Sequence, residues 1–570
     1  MPSRAESLLR SLEDARHLRP GSREVERRLR AAAAIEPRNA EELIRLHEAA
    51  LFLRAYPHSP RVLRLCERIL DRLTRQAAAL SRSDEGDGDI SAFDALEVAG
   101  VGGTTIATDF SFELSRRLAA RHGSRVTIDW NAVELGDRMR AAWPDFIPLL
   151  EEEALADANV PYLDWLSAAA GARRSDPRWL IGRYQRKALP RDVRADLFEA
   201  MGVPISWDLG RSRASRTRMR RPGPRTFFHD APLLARRDVS LDEVVGGPPM
   251  PIRRLSRAAG EAFVAMVQDA TAARYREFYT FTHADPSSVL AARPGRGVEL
   301  FLVGVVADRR LPLRAAYGGF VVKNAVPIGY IEGLAFFERL EIGFNMYYTF
   351  REGESAWIYA QVLKMHRDAL GVTSFSIDPY QLGFENHEAI DSGAFWFYRK
   401  LGFRPTDRDV AAGVAREERR IAETAGYRSS PATLRRLVTH NLLYDAPGTS
   451  SRDWDGFHVR RIGLAVDRRM RRDLGGDAAR LRAIAERRVG RALGLRPDEL
   501  PPAQARAYRA MAPALDAIPD LARWPREDRA ALAQIVRAKA GREERRYLRL
   551  MQKHPRLRAA WVRLGSVLNS

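Results

Sequence analysis

The sequence predicts a multidomain α/β protein in which a mixed, mainly antiparallel sheet with flanking helices lies between helical N- and C-terminal regions. Three observations support this prediction. The chain has 570 residues, which is enough for roughly two to four domains. Closely spaced β-rich runs lie between residues 298 and 350, and the short turns between them favour antiparallel neighbours. Both ends of the chain instead carry apolar residues at helical spacing.

Residues 1–80 are predicted to form a helical region. Ser59 followed by Pro60 is a helix start signal, because serine caps free N–H groups and proline fits the first helical position. The residues that follow place one apolar face on a helix: Val62, Leu65, Cys66, Ile69, Leu70 and Leu73. The polar, acidic stretch 81–92 then predicts a linker or an exposed loop.

Residues 93–248 are predicted to form a mixed α/β region with a basic, arginine-rich loop. A glycine-rich turn at 100–105 precedes a predicted helix, and 126–130 is a predicted strand. The turn lacks the lysine that a phosphate-binding P-loop needs, so a plain turn is the favoured interpretation. Residues 211–225 hold seven arginines and no acid. These arginines either contact a nucleic-acid backbone or pair with acidic side chains between domains.

The positive charge of the chain is concentrated outside the strand-rich region. Basic side chains exceed acidic ones by 20 overall. Residues 451–570 hold 28 basic and 14 acidic side chains, whereas residues 301–403 hold 10 and 11. This surplus predicts an acidic partner, and a nucleic acid bound through the basic regions is one candidate. Residues 413–570 are otherwise predicted to form a basic, mostly helical C-terminal region.

The clearest strands of the sequence lie within residues 249–405. Four β-rich runs follow one another with short turns, at 298–306, 316–323, 326–338 and 340–350. A helix is predicted from 356 to 370, with Ser355 as its N-cap and Gly371 as its stop.

A strand at 372–378, a helix at 392–401 and a set of regularly spaced residues follow this helix. The spaced residues are Asp391, Ala394, Tyr398, Lys400, Gly402 and Phe403. Their spacing, after this order of elements, resembles the GNAT superfamily of acyl-CoA N-acyltransferases over roughly residues 250–405. The family has asparagine where this chain has aspartate at the first position. The resemblance implies a GNAT-like acyltransferase domain at 249–405.

The resemblance also implies that acetyl-CoA or another acyl-CoA is a co-substrate, with its pyrophosphate at the start of the first helix. The free N–H groups and the positive dipole end of a helix suit such an anion. The implied binding residues are Arg351, Gly353, Ser355 and Ala356. The alternative interpretation is a capped helix start whose glutamates, Glu352 and Glu354, are solvated.

Tyr398 is the catalytic residue that the resemblance implies, because the family's tyrosine at this position protonates the departing thiolate of coenzyme A. A phenol with an ordinary pKa of about 10 keeps its proton at neutral pH and can give it to a nearby thiolate. Its alternative role is packing in an aromatic cluster. A base for the acceptor amine is also expected. Glu341 is favoured over Glu332 and Asp378, and each is alternatively a surface or ion-paired acid.

The segment 378–390 follows a predicted strand and lies beside the implied acyl site. Three of its polar side chains, Asp378, Tyr380 and Asn386, are predicted to shape the pocket for the acceptor amine. The acceptor is either a small molecule or a macromolecule. The alternative interpretation of the segment is a polar surface loop.

Composition excludes several classes of protein. The chain is 45% hydrophobic and 29% charged, which is unlike a fibrous or wholly disordered protein. Cys66 is the only cysteine, so an internal disulfide and a cysteine-based zinc site are excluded, and no metal site is predicted. No uncharged apolar stretch of about 18 residues occurs, so membrane insertion is not expected. The N-terminus has no apolar signal core, which predicts a cytoplasmic protein.

The leading functional hypothesis is an acyl-CoA-dependent N-acyltransferase that moves an acyl group, with acetyl favoured, to an unidentified amine. The alternative is a catalytically degenerate GNAT-like scaffold in a nucleic-acid-binding or assembly protein. The basic C-terminal region supports this alternative. An acyltransferase that modifies RNA would combine both hypotheses.

Overall fold

The computed structural model of the chain describes a mixed α/β fold, in agreement with the predicted class. The residues that it describes are 4–15, 18, 23–81, 90–132, 162–223, 225–449 and 452–566. Most of the predicted linker 81–92 and the middle of the region 93–248 lie outside the described residues. In the part of the chain that is described, no helix combines the length and the apolar character needed to cross a membrane.

Four described helices form the N-terminal region: Arg4–Asp14, Arg23–Ala32, Ala40–Ala55 and Pro60–Leu80. The fourth begins as the sequence predicts, since the Ser59 hydroxyl accepts a hydrogen bond from the Val62 N–H and Pro60 takes the first position. The third is buried along most of its length. Its residues Leu46 and Phe52 belong to the same hydrophobic core as the large sheet described below, so the described helices of this region share a core with the sheet.

A small antiparallel sheet follows, with its strands in the order β1-β3-β2. The strands are β1 Thr105–Thr108, β2 Val126–Ile128 and β3 Ile205–Asp208. The described helices around it are Phe112–His122, Tyr162–Ala170, Pro177–Gln185 and Arg191–Ala200. The predicted strand at 126–130 is thus present and shorter than predicted.

The glycine-rich turn at 100–105 packs against the N-terminal helices. Gly103 has a φ of +98°, and a Cβ there would lie 2.2 Å from the Thr74 carbonyl oxygen. Its N–H donates to the Gly210 carbonyl, and the Gly102 N–H donates to the Thr217 hydroxyl. Because both N–H groups are used inside the protein, the turn has a structural role, as the favoured interpretation holds.

Arginines of the run 211–225 lie where the N-terminal helices meet the rest of the fold. Their ion pairs reach acids on separate elements: Arg216 with Glu48, Arg218 with Asp71, Arg220 with Glu67 and Arg221 with Glu299. The run therefore acts as a pairing segment between parts of the chain, which is one of its two predicted roles.

The large sheet has nine strands in the order β11-β12-β10-β9-β8-β7-β6-β5-β4. They are β4 Ile252–Arg254, β5 Leu290–Gly295, β6 Val298–Gly304, β7 Ala315–Lys323, β8 Val326–Phe336, β9 Arg339–Met346, β10 Ser374–Ile377, β11 Arg404–Pro405 and β12 Leu442–Asp445. Among these described strands, all neighbours are antiparallel except β9 and β10. The five predicted strands correspond to β6 through β10.

Strand β12 comes from the region that was predicted to be mostly helical, and it lies between β10 and β11. Leu442 pairs with Ile377 on one side and with Pro405 on the other. The predicted boundary between 405 and 413 therefore falls inside the sheet. Four residues between helices give too short a pattern to predict a strand.

Helices cover both faces of the large sheet. Phe263 stacks on Phe301 at 4.5 Å on one face, and Tyr359 packs against Phe344 at 5.0 Å on the other. Strands β6 and β7 are consequently buried at every residue. The flanking helices are Leu241–Gly246, Arg257–Ala272, Tyr279–Thr282, Ser355–Leu370, Pro379–Leu382, His387–Asp391, Ala394–Arg399, Arg408–Glu423 and Pro431–Leu437.

The described C-terminal region is helical, as predicted, and surrounds a second hydrophobic core. Its helices are Val459–Leu474, Ala478–Leu493, Pro502–Asp516, Arg526–Lys539, Glu544–Gln552 and Pro555–Ser566. Phe336 at the end of β8 joins this core to the sheet, since its ring stacks on Phe457 at 5.6 Å and on Trp561 at 5.5 Å.

Candidate active site

The large sheet opens between its two parallel strands. Strands β9 and β10 pair only through residues 339–341 and 374–376. Beyond Glu341, β9 continues to Met346 alongside β8 alone, while β10 ends at Ile377. Parallel strands that stop sharing hydrogen bonds leave a gap at their carboxyl ends, which is where open α/β sheets commonly bind ligands.

A cleft of about 220 Å³ lies at this gap. Its wall combines β9, the turn before the helix Ser355–Leu370, the segment after β10 and the helix Ala394–Arg399. The lining residues are Phe344, Asn345, Met346, Arg351, Ser355, Gln381, Asn386, Glu388, Ala389, Ser392, Ala394, Phe397 and Tyr398. The structure thus brings together four residues predicted for the site: Arg351, Ser355, Asn386 and Tyr398.

Tyr398 places a phenol in the wall of the cleft. Its ring packs against Tyr359, Phe397 and Phe403 at centroid distances of 5.5, 5.2 and 5.7 Å. Burial raises the pKa of Tyr398 above its ordinary value, so the hydroxyl keeps its proton at neutral and mildly alkaline pH. No partner for this hydroxyl lies among the described residues, and it is therefore a free proton donor at the cleft.

The helix Ser355–Leu370 begins at the cleft without a side-chain cap. Ser355 was predicted to be the N-cap, but it is the first helical residue, and its hydroxyl donates to the Arg351 carbonyl at 2.8 Å. The first N–H groups of a helix have no intrahelical partners. Here they combine with the positive end of the helix dipole to make the start of the helix attractive to an anion.

Glu354 points away from the cleft into a buried cluster of charges. Its carboxylate, 0% exposed, accepts hydrogen bonds from Arg296 at 2.8 Å and from Lys323 at 3.1 Å. Burial opposes ionisation, but Arg296 and Lys323 outweigh it and lower the pKa of Glu354. The prediction that this glutamate is solvated is wrong, because its partners lie far away in the sequence. Glu352, in contrast, is exposed.

Gly353 and Ala356 lie behind the turn and do not line the cleft. A Cβ on Gly353 would lie 2.4 Å from the hydroxyl of Tyr56, so the close packing of the N-terminal helices requires glycine here. Ala356 is buried. These two predicted binding residues can therefore contribute only backbone groups to a ligand.

Two of the three carboxylates that were considered as a base have other partners. Glu341, the favoured one, is ion-paired with Arg314 at 3.5 Å and with Arg339 at 3.9 Å and does not line the cleft. Asp378 caps the helix Pro379–Leu382, since its carboxylate accepts a hydrogen bond from the Tyr380 N–H at 2.9 Å. Glu341 thus has the ion-paired role that the sequence left open, whereas the capping role of Asp378 was not predicted.

Glu332 lies outside the cleft lining, as Glu341 does, but its surroundings suit a base. It lies opposite Gly343 in the β8–β9 register, on the face of the sheet that also carries Asn345. Gln381, which lines the cleft, covers the same face, because a Cβ on Gly343 would meet its amide at 3.5 Å. Burial raises the pKa of Glu332, and no ionic or hydrogen-bonded partner for it lies among the described residues.

Part of the segment 378–390 lines the cleft, and part of it lies on the protein surface. Asn386 lines the cleft and caps the helix His387–Asp391 through the Ala389 N–H. Arg351 and Glu388 form an ion pair beside it. Tyr380 is 55% exposed and lies outside the cleft lining, so the predicted acceptor residues do not form one group.

The sequence did not identify the contribution of β9 to the cleft, which consists of Phe344, Asn345 and Met346. The strand itself was predicted, but the point where its pairing with β10 ends has no signal in a single sequence. Within the described chain, no group of three or more metal-ligating side chains could hold a metal ion. Comparisons with protein-family models, with curated proteins and with solved structures gave no match to this chain.

Proposed function

We propose that this chain is an acyl-CoA-dependent N-acyltransferase of the GNAT type that transfers the acetyl group of acetyl-CoA to an amine. The observation that carries the proposal is the cleft between β9 and β10, where Tyr398 and the uncapped start of the helix Ser355–Leu370 lie together. Further support comes from the order of elements from β6 to the helix Ala394–Arg399, which is the order that the resemblance to this superfamily implies.

The start of the helix Ser355–Leu370 would bind the phosphates of coenzyme A. Its uncapped N–H groups and its dipole favour a pyrophosphate. Arg351 adds a positive charge at the same place, and its partner Glu388 has a side chain that is 52% exposed. An exposed ion pair contributes little free energy, so Arg351 can exchange this partner for a phosphate. Glu354 does not oppose the ligand, because Arg296 and Lys323 balance its charge.

The chain supplies the two proton transfers that acyl transfer requires. When bound, acetyl-CoA provides a thioester that an amine can attack, so that a C–N bond forms and the C–S bond breaks. The Tyr398 hydroxyl gives its proton to the departing sulfur. Glu332, whose pKa is raised by burial, receives a proton from the amine through water. Both side chains regain their starting protonation from solvent after the products leave.

Acetyl-CoA is expected to raise the temperature of thermal unfolding of the full chain. A ligand at 100 times its dissociation constant stabilises the folded state by about 2.7 kcal/mol. The Ala394→Phe variant adds a phenyl ring to the lining of the cleft and is expected to abolish the shift. The matched variant Ala412→Phe, at an exposed position of the helix Arg408–Glu423, should keep it.

If acetyl-CoA still raised the unfolding temperature of the Ala394→Phe variant, it would bind outside the cleft, and this result would contradict the proposed site. S-acetylpantetheine, which has no pyrophosphate, is expected to give a smaller shift than acetyl-CoA. Equal shifts of the unfolding temperature with the two ligands would mean that the start of the helix Ser355–Leu370 does not bind the pyrophosphate. The absence of any shift with acetyl-CoA would favour the catalytically inactive scaffold instead.

The Glu332→Gln variant is expected to lose the acidic limb of the pH–rate profile. A base must be ionised to accept a proton, and the pKa of Glu332 lies above its ordinary value of 4.5. In the wild type, kcat/KM should therefore rise with pH through this raised pKa. The variant should be slow and nearly independent of pH in the same range. Glu341→Gln is the matched control and should keep the wild-type profile. If Glu341→Gln lost the acidic limb and Glu332→Gln kept it, Glu341 would be the base.

A further inference from the structure

A second and larger groove lies away from the cleft, between the helix Pro60–Leu80 and residues 217–220. Its volume is about 1240 Å³, and eight arginines but only two carboxylates line it. The two carboxylates, Glu67 and Asp71, are already ion-paired with Arg220 and Arg218. Within the described part of the chain, the arginines that line the groove therefore outnumber the carboxylates that line it, and the groove carries a surplus of positive charge.

The helix Pro60–Leu80 presents a stripe of arginines to this groove. Arg64, Arg68, Arg72 and Arg75 recur every three or four residues and so share one helix face. The stripe extends for about 16 Å, since each residue of a helix rises by 1.5 Å. Arg64, Arg68 and Arg75 are exposed, and they have no carboxylate partner among the described residues. Their guanidinium groups are free to contact a ligand.

Arg54 adds a buried guanidinium to the lining of the groove. It is 3% exposed, and its Nη1 donates to the Thr217 carbonyl at 2.6 Å. Its Nε and Nη2 are buried and have no hydrogen-bond partner in the part of the chain that is described. Burial lowers the pKa of Arg54 to about 10, so it stays charged at neutral pH. A buried charged donor without an acceptor is costly, and a phosphate oxygen would satisfy it.

We propose that this groove binds a single strand of nucleic acid through its phosphate backbone. Pockets for small ligands measure about 300–1,000 Å³, whereas this groove is larger and is lined by eight arginines. Many proteins hold a single strand without reading its sequence in a positively charged groove that follows the phosphate backbone, and the arginine stripe of about 16 Å gives this groove such contacts along its length.

The recognition that this groove offers is independent of base sequence. No described residue that lines it is aromatic, so stacking on bases, which gives many single-strand binders part of their affinity, is absent there. Arginines that contact phosphates position the strand but do not read its bases. The proposal stands apart from acyl transfer, and neither activity requires the other.

The test is the affinity of the full chain for a fluorescein-labelled RNA strand of mixed sequence, measured by anisotropy over a series of salt concentrations. The triple variant Arg64→Gln, Arg68→Gln, Arg75→Gln is expected to bind about tenfold or more weakly at about 0.1 M salt. The slope of log K against log salt should fall by about 2, because each phosphate contact on a single strand contributes about 0.7. The corresponding triple lysine variant keeps the charge and should keep the slope.

The matched control removes three exposed arginines from the C-terminal region: Arg471→Gln, Arg482→Gln and Arg487→Gln. It lowers the net charge of the chain equally and should leave affinity and slope nearly unchanged. Equal losses of RNA affinity in the two triple glutamine variants would show that net charge alone causes the effect, and this result would overturn the proposal. Tighter binding of a duplex of the same sequence would overturn the single-strand assignment. Preferential binding to vesicles of anionic phospholipid, lost in the groove variant, would assign the groove to a membrane surface instead.

Discussion

Replacing Glu48 by alanine is expected to lower the free energy of unfolding by about 3–5 kcal/mol, the cost of breaking a buried ion pair from one side. Glu48 is 6% exposed and accepts hydrogen bonds from Arg216, which is itself buried, and from Thr349. His47 is hydrogen-bonded to the same carboxylate at 2.9 Å. The alanine variant would leave the Arg216 guanidinium buried without a counter-charge. Urea unfolding followed by circular dichroism at neutral pH measures the loss.

Two further variants separate the ion pair from the general cost of substitution. Glu41→Ala changes an exposed glutamate on the same helix and should cost less than about 1 kcal/mol. The double variant Glu48→Leu, Arg216→Met removes both charges and should recover part of the loss, because apolar residues can replace a buried ion pair without leaving a lone charge. A double variant less stable than Glu48→Ala would show that the pair is not the source of the effect.

The same ion pair makes stability depend on pH in the acid range. Burial disfavours the ionised carboxylate, but Arg216 and His47 together lower the pKa of Glu48 from 4.5 to about 2. A folded-state pKa below the ordinary value stabilises the fold fully above about pH 4.5, and this stabilisation is lost as the pH falls toward 2. Glu48→Ala should therefore lose less stability than the wild type over this interval. Parallel loss in both proteins would contradict the assigned pKa.

The sequence could predict the elements that have strong local patterns. The strands β6 to β9 are long apolar runs, and the short turns from β7 to β8 and from β8 to β9 fix the antiparallel order of these three strands. The helix Pro60–Leu80 has a serine–proline start, and the helix Ser355–Leu370 ends at Gly371 in the left-handed conformation, with a φ of +74°. In each case the signal lies within a few residues of the feature that it predicts.

The features that decide the chemistry depend on distant residues. Lys323 and Arg296 pair with Glu354 from separate strands and turns, and no spacing in the sequence relates the three. The same limit applies to Glu341, whose ion pair with Arg314 comes from the start of another strand. The arginine stripe of the helix Pro60–Leu80 has a clear spacing in the sequence, but the groove that it lines is formed with residues 217–220, which no local pattern relates to the helix.

Replacing Tyr398 by phenylalanine is expected to lower kcat by about 10²- to 10⁴-fold, the usual contribution of one positioned acid. The KM for acetyl-CoA should change little, because phenylalanine keeps the ring contacts with Tyr359, Phe397 and Phe403 and loses only the hydroxyl. The rate is measured as release of free thiol from acetyl-CoA with a panel of amines, including spermidine and a lysine-containing peptide. The one cysteine of the chain, Cys66, is buried and contributes little background.

Tyr359→Phe is the matched control for this variant, since it removes a neighbouring hydroxyl that does not line the cleft. The Tyr359 hydroxyl is buried without a hydrogen-bond partner among the described residues, and an unsatisfied buried hydroxyl costs about 1–3 kcal/mol. Its removal should therefore leave both activity and stability intact. Equal losses of activity in the two variants would trace the effect to the aromatic packing that they share. Full activity in Tyr398→Phe would mean that water protonates the departing sulfur, and the tyrosine would then have a purely structural role.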